Sequence, residues 1–123
     1  MKNFVLVTGG RDYVAGVSVN VTLDAIHAAS PITLLFEGGC DTGADMFARG
    51  WAVRNDVHHA TIDAIWRSYK GGPIRRSAGP IRNSVMALLN IDKCVVFPGG
   101  DGTADMASKA KRSGFEMIEV GAE

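Results

Sequence analysis

The residues best suited to chemistry in this chain are glycines followed closely by polar side chains. The run Pro98-Gly99-Gly100-Asp101-Gly102-Thr103 follows an apolar stretch, Cys94–Phe97, and opens a segment with helical patterning. Glycine there lets the backbone turn sharply and bring its N–H groups against an anion with no Cβ in the way. A helix start adds a partial positive charge at the same place. The amides from Gly100 to Thr103 and the Thr103 hydroxyl could thus hold a phosphate by hydrogen bonds alone. Asp101 and Thr103 could equally cap the helix, and the two roles are compatible. The run is not a P-loop, since GxxxxGK[ST] is absent, and no strand precedes a GxGxxG. Gly9-Gly10, followed by Arg11, and Gly38-Gly39 with Gly43, preceded by Glu37, repeat the arrangement. One such pair only meets the needs of a tight turn, whereas three on one edge point to an anion or nucleotide site.

Charged residues add a second signal. From Trp66 to Arg82 the chain carries Arg67, Lys70, Arg75, Arg76 and Arg82 and no acidic residue. A solvated basic loop is the ordinary reading of the first four. Arg82 lies near the start of a helix whose other face is apolar, so it can be aimed at the glycine turns, and a guanidinium suits bidentate phosphate or carboxylate recognition. Trp66 and Tyr69 could stack on a base, although plain loop packing is the commoner role for either. Asp41/Asp45 and Asp101/Asp105 are i,i+4 pairs in first helical turns, where the dipole favours acids in any case. They leave room for Mg²⁺ carried by a ligand phosphate, but no cofactor is required. His58 and His59 point to opposite faces of a strand, and Cys40 and Cys94 are isolated, so no metal site and no disulfide framework is expected.

The elements that must position these residues alternate. Strand-like runs at Asn3–Val7, Ile32–Phe36, Val57–Ile62, Cys94–Phe97 and Phe115–Val120 are separated by helical patterns. The first helix spans Val17–Ala29 and ends at Ser30-Pro31. In the second, Ala44, Phe47, Ala48, Trp51 and Ala52 form a stripe, with Asp41 or Thr42 as cap. The third repeats the spacing with Ile81, Val85, Leu88 and Leu89 and has Pro80 in its first turn; the fourth covers Asp101–Ser113 and stops at Gly114. Continuous apolar strands mean burial on both faces. The pattern therefore predicts a parallel sheet of about five strands in a three-layer α/β/α sandwich, with ligands at the strand C-terminal edge where strand order reverses. The long irregular segment 63–79 could be a lid or a partner-binding element.

Composition bounds the alternatives. A chain of 123 residues, 46% hydrophobic, suits a single domain over 1–123 and excludes a disordered, charge-extended polymer. No window resembles a membrane span or a cleaved signal, and two scattered cysteines fit a cytoplasmic protein. Thirteen basic and thirteen acidic residues argue against a general polyanion binder. Glycine is in excess, at fifteen, and eleven of these fall in five places: 9–10, 38–43, 71–72, 79 and 99–102.

The segments GGRDY at 9–13, EGGCDTGAD at 37–45, Trp51, AGPIRN at 78–83 and FPGGDGTADM at 97–106, taken in order, resemble the SLOG superfamily. The resemblance is to its small stand-alone branch related to YspA and YpsA; the superfamily also holds the lonely-guy phosphoribohydrolases and the DprA DNA-processing proteins. It spans nearly the whole chain and implies a Rossmann-like, doubly wound fold, a homodimer or higher homo-oligomer, and a pocket for a nucleotide or nucleotide-derived ligand. The ligand-binding residues it implies are Gly9, Gly10, Arg11, Asp12, Gly38, Gly39, Asp45, Arg82, Asn83 and the run from Pro98 to Thr103. One departure bears on catalysis. The phosphoribohydrolases carry PGGxGTxxE with an upstream arginine; Arg82 matches the arginine, but Met106 stands where the glutamate would be and cannot exchange a proton. Losing a general acid typically costs about 10²–10⁴-fold in rate. Three readings follow. The first is a nucleotide-binding sensor or signal-processing domain. The second is a phosphoribohydrolase acting on nucleoside monophosphates through Arg82 with Asp105, Glu37 or Asp45 as acid. The third, single-stranded DNA binding in the manner of DprA, is disfavoured by the zero net charge.

Overall fold

The computed structural model describes residues 1–121. Nine elements alternate: β1 (Phe4–Thr8), α1 (Gly16–Ala29), β2 (Leu34–Glu37), α2 (Gly43–Arg54), β3 (His59–Thr61), α3 (Ala78–Ala87), β4 (Lys93–Val96), α4 (Asp101–Arg112) and β5 (Glu116–Glu119). All strand pairs are parallel, in the order β3-β2-β1-β4-β5. This is the expected three-layer, doubly wound, Rossmann-like sandwich. The central strands β1, β2 and β4 are the buried apolar runs, while edge strands β3 and β5 are only half-covered. That matches the rule that a parallel sheet packs helices on both faces.

Helices α1 and α2 pack together on one face, over Val5, Val7, Leu35, Val95 and Phe97. Helices α3 and α4 pack on the other, over Leu6, Phe36 and Cys94. Trp51 is buried on the first face, where its Nε1 donates to Asp24 at 2.8 Å and its ring meets the edge of His27. Its place in the motif series is thus explained by packing. Among the described residues no helix is long and apolar enough to cross a membrane.

Two sequence expectations are corrected. The apolar spacing Ile81–Val85–Leu88 is not the inward face of α3: these residues are 54%, 45% and 87% exposed, and the buried face is Ala78, Gly79, Asn83 and Met86. Leu89, the last of that series, does pack against the core. Nor does Asp41 or Thr42 cap α2 by its side chain. The Ala44 amide instead reaches the Gly10 carbonyl at 3.3 Å, and the Thr42 hydroxyl donates to the Arg11 carbonyl. The turn after β1 therefore caps α2, which ties the first two glycine turns together. Strand ends also shift by one or two residues, with β2 starting at Leu34 and β3 reduced to His59–Thr61.

Candidate ligand-binding site

Strands β1 and β4 are neighbours, and the chain leaves them toward opposite faces of the sheet. That divergence opens a crevice at their C-terminal ends. The two glycine turns meet there, backbone to backbone. The Gly10 amide donates to the Pro98 carbonyl at 2.9 Å, and a Cβ on Gly10 would sit 3.1 Å from Gly99 Cα. A Cβ on Gly99 would lie 2.1 Å from Thr103 Oγ1 and 2.7 Å from the Gly10 nitrogen, so this approach requires glycine.

Around this contact lies one cavity of about 900 Å³. Of the residues singled out in the sequence, Gly9, Gly10, Arg11 and Asp12 line it from the turn after β1, Gly38 from the β2–α2 turn and Asp45 from the first turn of α2. Arg82 and Asn83 line it from α3; Pro98, Gly99 and Gly100 line it from the β4–α4 turn, and Asp101, Gly102, Thr103 and Asp105 from the start of α4. Glu37 and Gly39 do not. The Glu37 carboxylate is fully buried behind the wall, paired with Arg49 at 2.7 Å and accepting the Gly39 amide at 2.6 Å and the Thr61 hydroxyl. Its oxygens are occupied in joining β2, α2 and β3.

The amides opening α4 are the best anion donors. No side chain caps this helix, and Gly100 through Thr103 all border the cavity. A Cβ built on Gly100 or Gly102 meets nothing within 4 Å, so internal packing does not demand glycine at either position. On the opposite wall, Arg82 and Asp45 flank Gly38: a Cβ there would lie 2.5 Å from Arg82 Nη1 and 3.2 Å from Asp45 Oδ2. Arg82 Nη1 donates to the Gly38 carbonyl and its Nε to Asn83 Oδ1 at 2.9 Å. Its Nη2 has no hydrogen-bond partner among the described residues.

The acids on the wall differ in character. Burial pushes the Asp45 carboxyl up to about 6, with the charge of Glu37 adding to the rise; the Cys40 amide and the Arg82 and Arg49 cations pull the other way. Asp105 accepts Lys109 Nζ at 2.9 Å and Asn83 Nδ2 at 3.0 Å. The Lys109 contact above all holds it below the usual carboxylate range, which makes it a poor proton donor. Met106 is fully buried against the α3–α4 core and takes no part in the wall. Among the described residues no three or more His, Cys, Asp or Glu side chains are grouped to hold a metal ion.

Of the cationic run, Arg82 alone lines the cavity. Arg67 Nη1 bonds the Gly72 carbonyl and Arg75 Nη1 the Ser68 hydroxyl, so both brace their own loop. From the loop between β3 and α3, only Trp66 lines the cavity; Tyr69 sits over Gly72 instead. Sequence reasoning also left Val7, Thr8, Tyr13, Cys40, Gly79, Pro80 and Met86 out of the site, all of which line it. Tyr13, Cys40, Gly79 and Pro80 stand inside the motif segments, and their positions there were the available signal. Val7, Thr8 and Met86 have none, because they reach the cavity only through packing.

A crevice at a strand-order reversal, walled by glycine turns and a helix start, is the mark of a doubly wound α/β domain. The family model for the YspA, cpYpsA-related SLOG family, YAcAr, matches residues 4–69, more than half of the chain, and the chain belongs to that family. None of the curated proteins matches it.

Proposed function

We propose that this domain binds a nucleotide or nucleotide-derived ligand in the β1–β4 crevice, as a sensor or signal-processing module. The observation that carries the reading is the uncapped start of α4, with Gly100–Thr103 bordering a cavity that also receives Arg82. A phosphate there gains backbone hydrogen bonds and the helix dipole, and the free Nη2 of Arg82 adds a charge-assisted donor. Asp45 suits a ribose hydroxyl, because a carboxylate in this type of crevice accepts from sugar oxygens. The charged lining is Asp12, Asp45, Asp101 and Asp105 against Arg11 and Arg82. That balance favours ligands with one or two phosphates over a triphosphate, unless Mg²⁺ accompanies the latter. Membership of the SLOG family supports a nucleotide-related ligand. The test is a thermal-shift and calorimetric screen of nucleoside mono-, di- and triphosphates, ADP-ribose and dinucleotides. Stabilisation by mono- or diphosphates that is lost in Arg82→Ala is the expected result, and no binding across that panel would end the reading.

A second reading rests on Asp45 alone. A carboxyl pushed up to about 6 beside Arg82 is a better proton donor at neutral pH than Asp105, which Lys109 holds below the usual carboxylate range. In hydrolysis of a nucleoside monophosphate, Asp45 would protonate the leaving base as the C1′–N bond breaks. Water would supply hydroxyl to C1′ and return a proton to Asp45. Release of free base that disappears in Asp45→Asn distinguishes this reading from binding alone.

A further inference from the structure

Trp66 is the one residue of the β3–α3 loop that lines the cavity, and it does so while 41% exposed. Its position is built from both sides. Its carbonyl accepts the Arg75 amide at 2.6 Å, and the loop beyond it closes on itself through Arg67 to the Gly72 carbonyl and the Gly72 amide to the Tyr69 carbonyl. Beneath the indole lies Gly79, in the first turn of α3; a Cβ there would come within 3.1 Å of Trp66 Cη2. The six-membered ring of the indole thus rests against Gly79, which itself lines the cavity. Tyr13 also lines the cavity, but its ring is packed on Phe97 with centroids 5.5 Å apart. Trp66 carries aromatic surface to the same cavity from a self-braced loop.

We propose that Trp66 is the stacking platform for the base of the bound ligand and selects nucleobase-bearing ligands over bare sugar phosphates. The inference rests on the nucleotide reading above and adds an orientation: base beneath the loop, phosphate at the start of α4. Stacking on an indole tolerates any base because every base has a π face, so Trp66 sets the class of ligand rather than the identity of the base. Arg67 and Arg75 brace the loop that carries the platform and need not touch the ligand.

The experiment measures binding of AMP, GMP, CMP, UMP and ribose 5-phosphate by calorimetry, and of the nucleotides by tryptophan fluorescence. The proteins compared are the parent chain, Trp66→Leu and Trp66→Phe. Trp66→Phe leaves the buried Trp51 as the only tryptophan. The expected result is quenching in the parent that vanishes in Trp66→Phe, and nucleotide affinity at least about 10-fold weaker in Trp66→Leu but largely kept in Trp66→Phe. Ribose 5-phosphate affinity should be unchanged in both variants. Nucleotides that bind Trp66→Leu as tightly as the parent overturn the platform and leave the site reading standing. Equal losses for nucleotides and ribose 5-phosphate also overturn it, by showing that Trp66 only supports the loop. If the parent binds none of the five compounds, the platform falls, whereas the nucleotide reading ends only if the di- and triphosphates, ADP-ribose and dinucleotides fail to bind as well.

Discussion

Arg82 Nε donates a 2.9 Å hydrogen bond to Oδ1 of the next residue, Asn83, whose amide nitrogen reaches Asp105 and the Gly102 carbonyl on α4. One buried amide therefore fixes the guanidinium on α3 relative to the glycine turn that opens α4. Arg82→Ala should weaken nucleotide binding by roughly 10- to 150-fold, the equivalent of losing a charge-assisted hydrogen bond of about 1.5–3 kcal/mol. The variant also loses the Nη1 bond to the Gly38 carbonyl and leaves the buried Asn83 Oδ1 without its donor, so it should cost about 1–3 kcal/mol of stability as well. Calorimetry and urea denaturation on the same variant separate the two effects. Unchanged affinity would place the ligand elsewhere.

Gly100→Val and Gly102→Val probe the start of α4 from the other side. Each new side chain enters open space, so neither should shift the unfolding midpoint by more than a few degrees. Each should obstruct the approach of an anion to the first-turn amides and lower AMP affinity at least about 10-fold. A thermal-shift titration reads both quantities at once. Binding that survives both substitutions would remove the phosphate from this turn.

Asp45→Asn should stabilise the ligand-free protein, and do so in a pH-dependent way. The carboxyl sits near 6 in the folded chain against 3.8 as its ordinary value, so between those values the folded state binds more protons than the unfolded one. Stability therefore falls as pH rises through this window, the penalty being absent below about 3.8 and complete above about 6. Two pH units correspond to about 3 kcal/mol at most. Asparagine keeps an acceptor for the Cys40 amide and removes the buried charge. Denaturation should find the variant more stable at pH 7.5 and level with the parent at pH 4. A difference independent of pH would contradict the assignment. Weaker nucleotide binding by the same variant would mark a residue retained for function at a cost in stability.

Much of this could be read from local pattern, and the rest could not, for physical reasons. Strands β1, β2 and β4 announce themselves as apolar runs cut off by glycines, and both the turns and the sheet follow from adjacent residues. The inward face of α3 is different. Asn83 is buried because Arg82, Gly102 and Asp105 satisfy it, partners that only tertiary contact supplies, whereas the more apolar Ile81 and Val85 face outward. Glu37 at a strand end looks like a site acid, yet its neighbours Arg49 and Thr61 lie on two other elements. The basic run reads as a solvated loop, and sequence alone does not show that Arg67 and Arg75 bond within that loop to brace it.

Glu37→Gln follows from that placement. A neutral amide in the same volume loses the ion pair with Arg49 and cannot satisfy every donor around it. The expected loss is about 1.5–3 kcal/mol of stability, since hydrogen bonds to a charged group are at stake. Nucleotide affinity of the folded fraction should stay within about two-fold of the parent, because the carboxylate does not line the cavity. A variant that unfolds normally but no longer binds would return Glu37 to the site.

The outward face of α3 leads to a prediction about assembly. Ile81, Val85 and Leu88 recur at i, i+4 and i+7 and are exposed, with Leu88 at 87%. A contiguous apolar stripe of this kind on a helix surface marks an interaction face more often than a solvated one. A two-fold dimer uses the same patch on both copies, so α3 would pack against α3 of a second chain. A stable contact needs about 800 Å² per partner, more than three side chains supply; Ile65, Tyr69 and Ile74 in the preceding loop offer further exposed apolar surface. Sedimentation velocity should therefore find a homodimer at micromolar concentration. Leu88→Glu together with Val85→Glu should shift it to monomer, because a charge at the centre of such a face would be buried without a partner. A parent chain that sediments as a monomer, or a double variant that remains a dimer, would move self-association away from this helix.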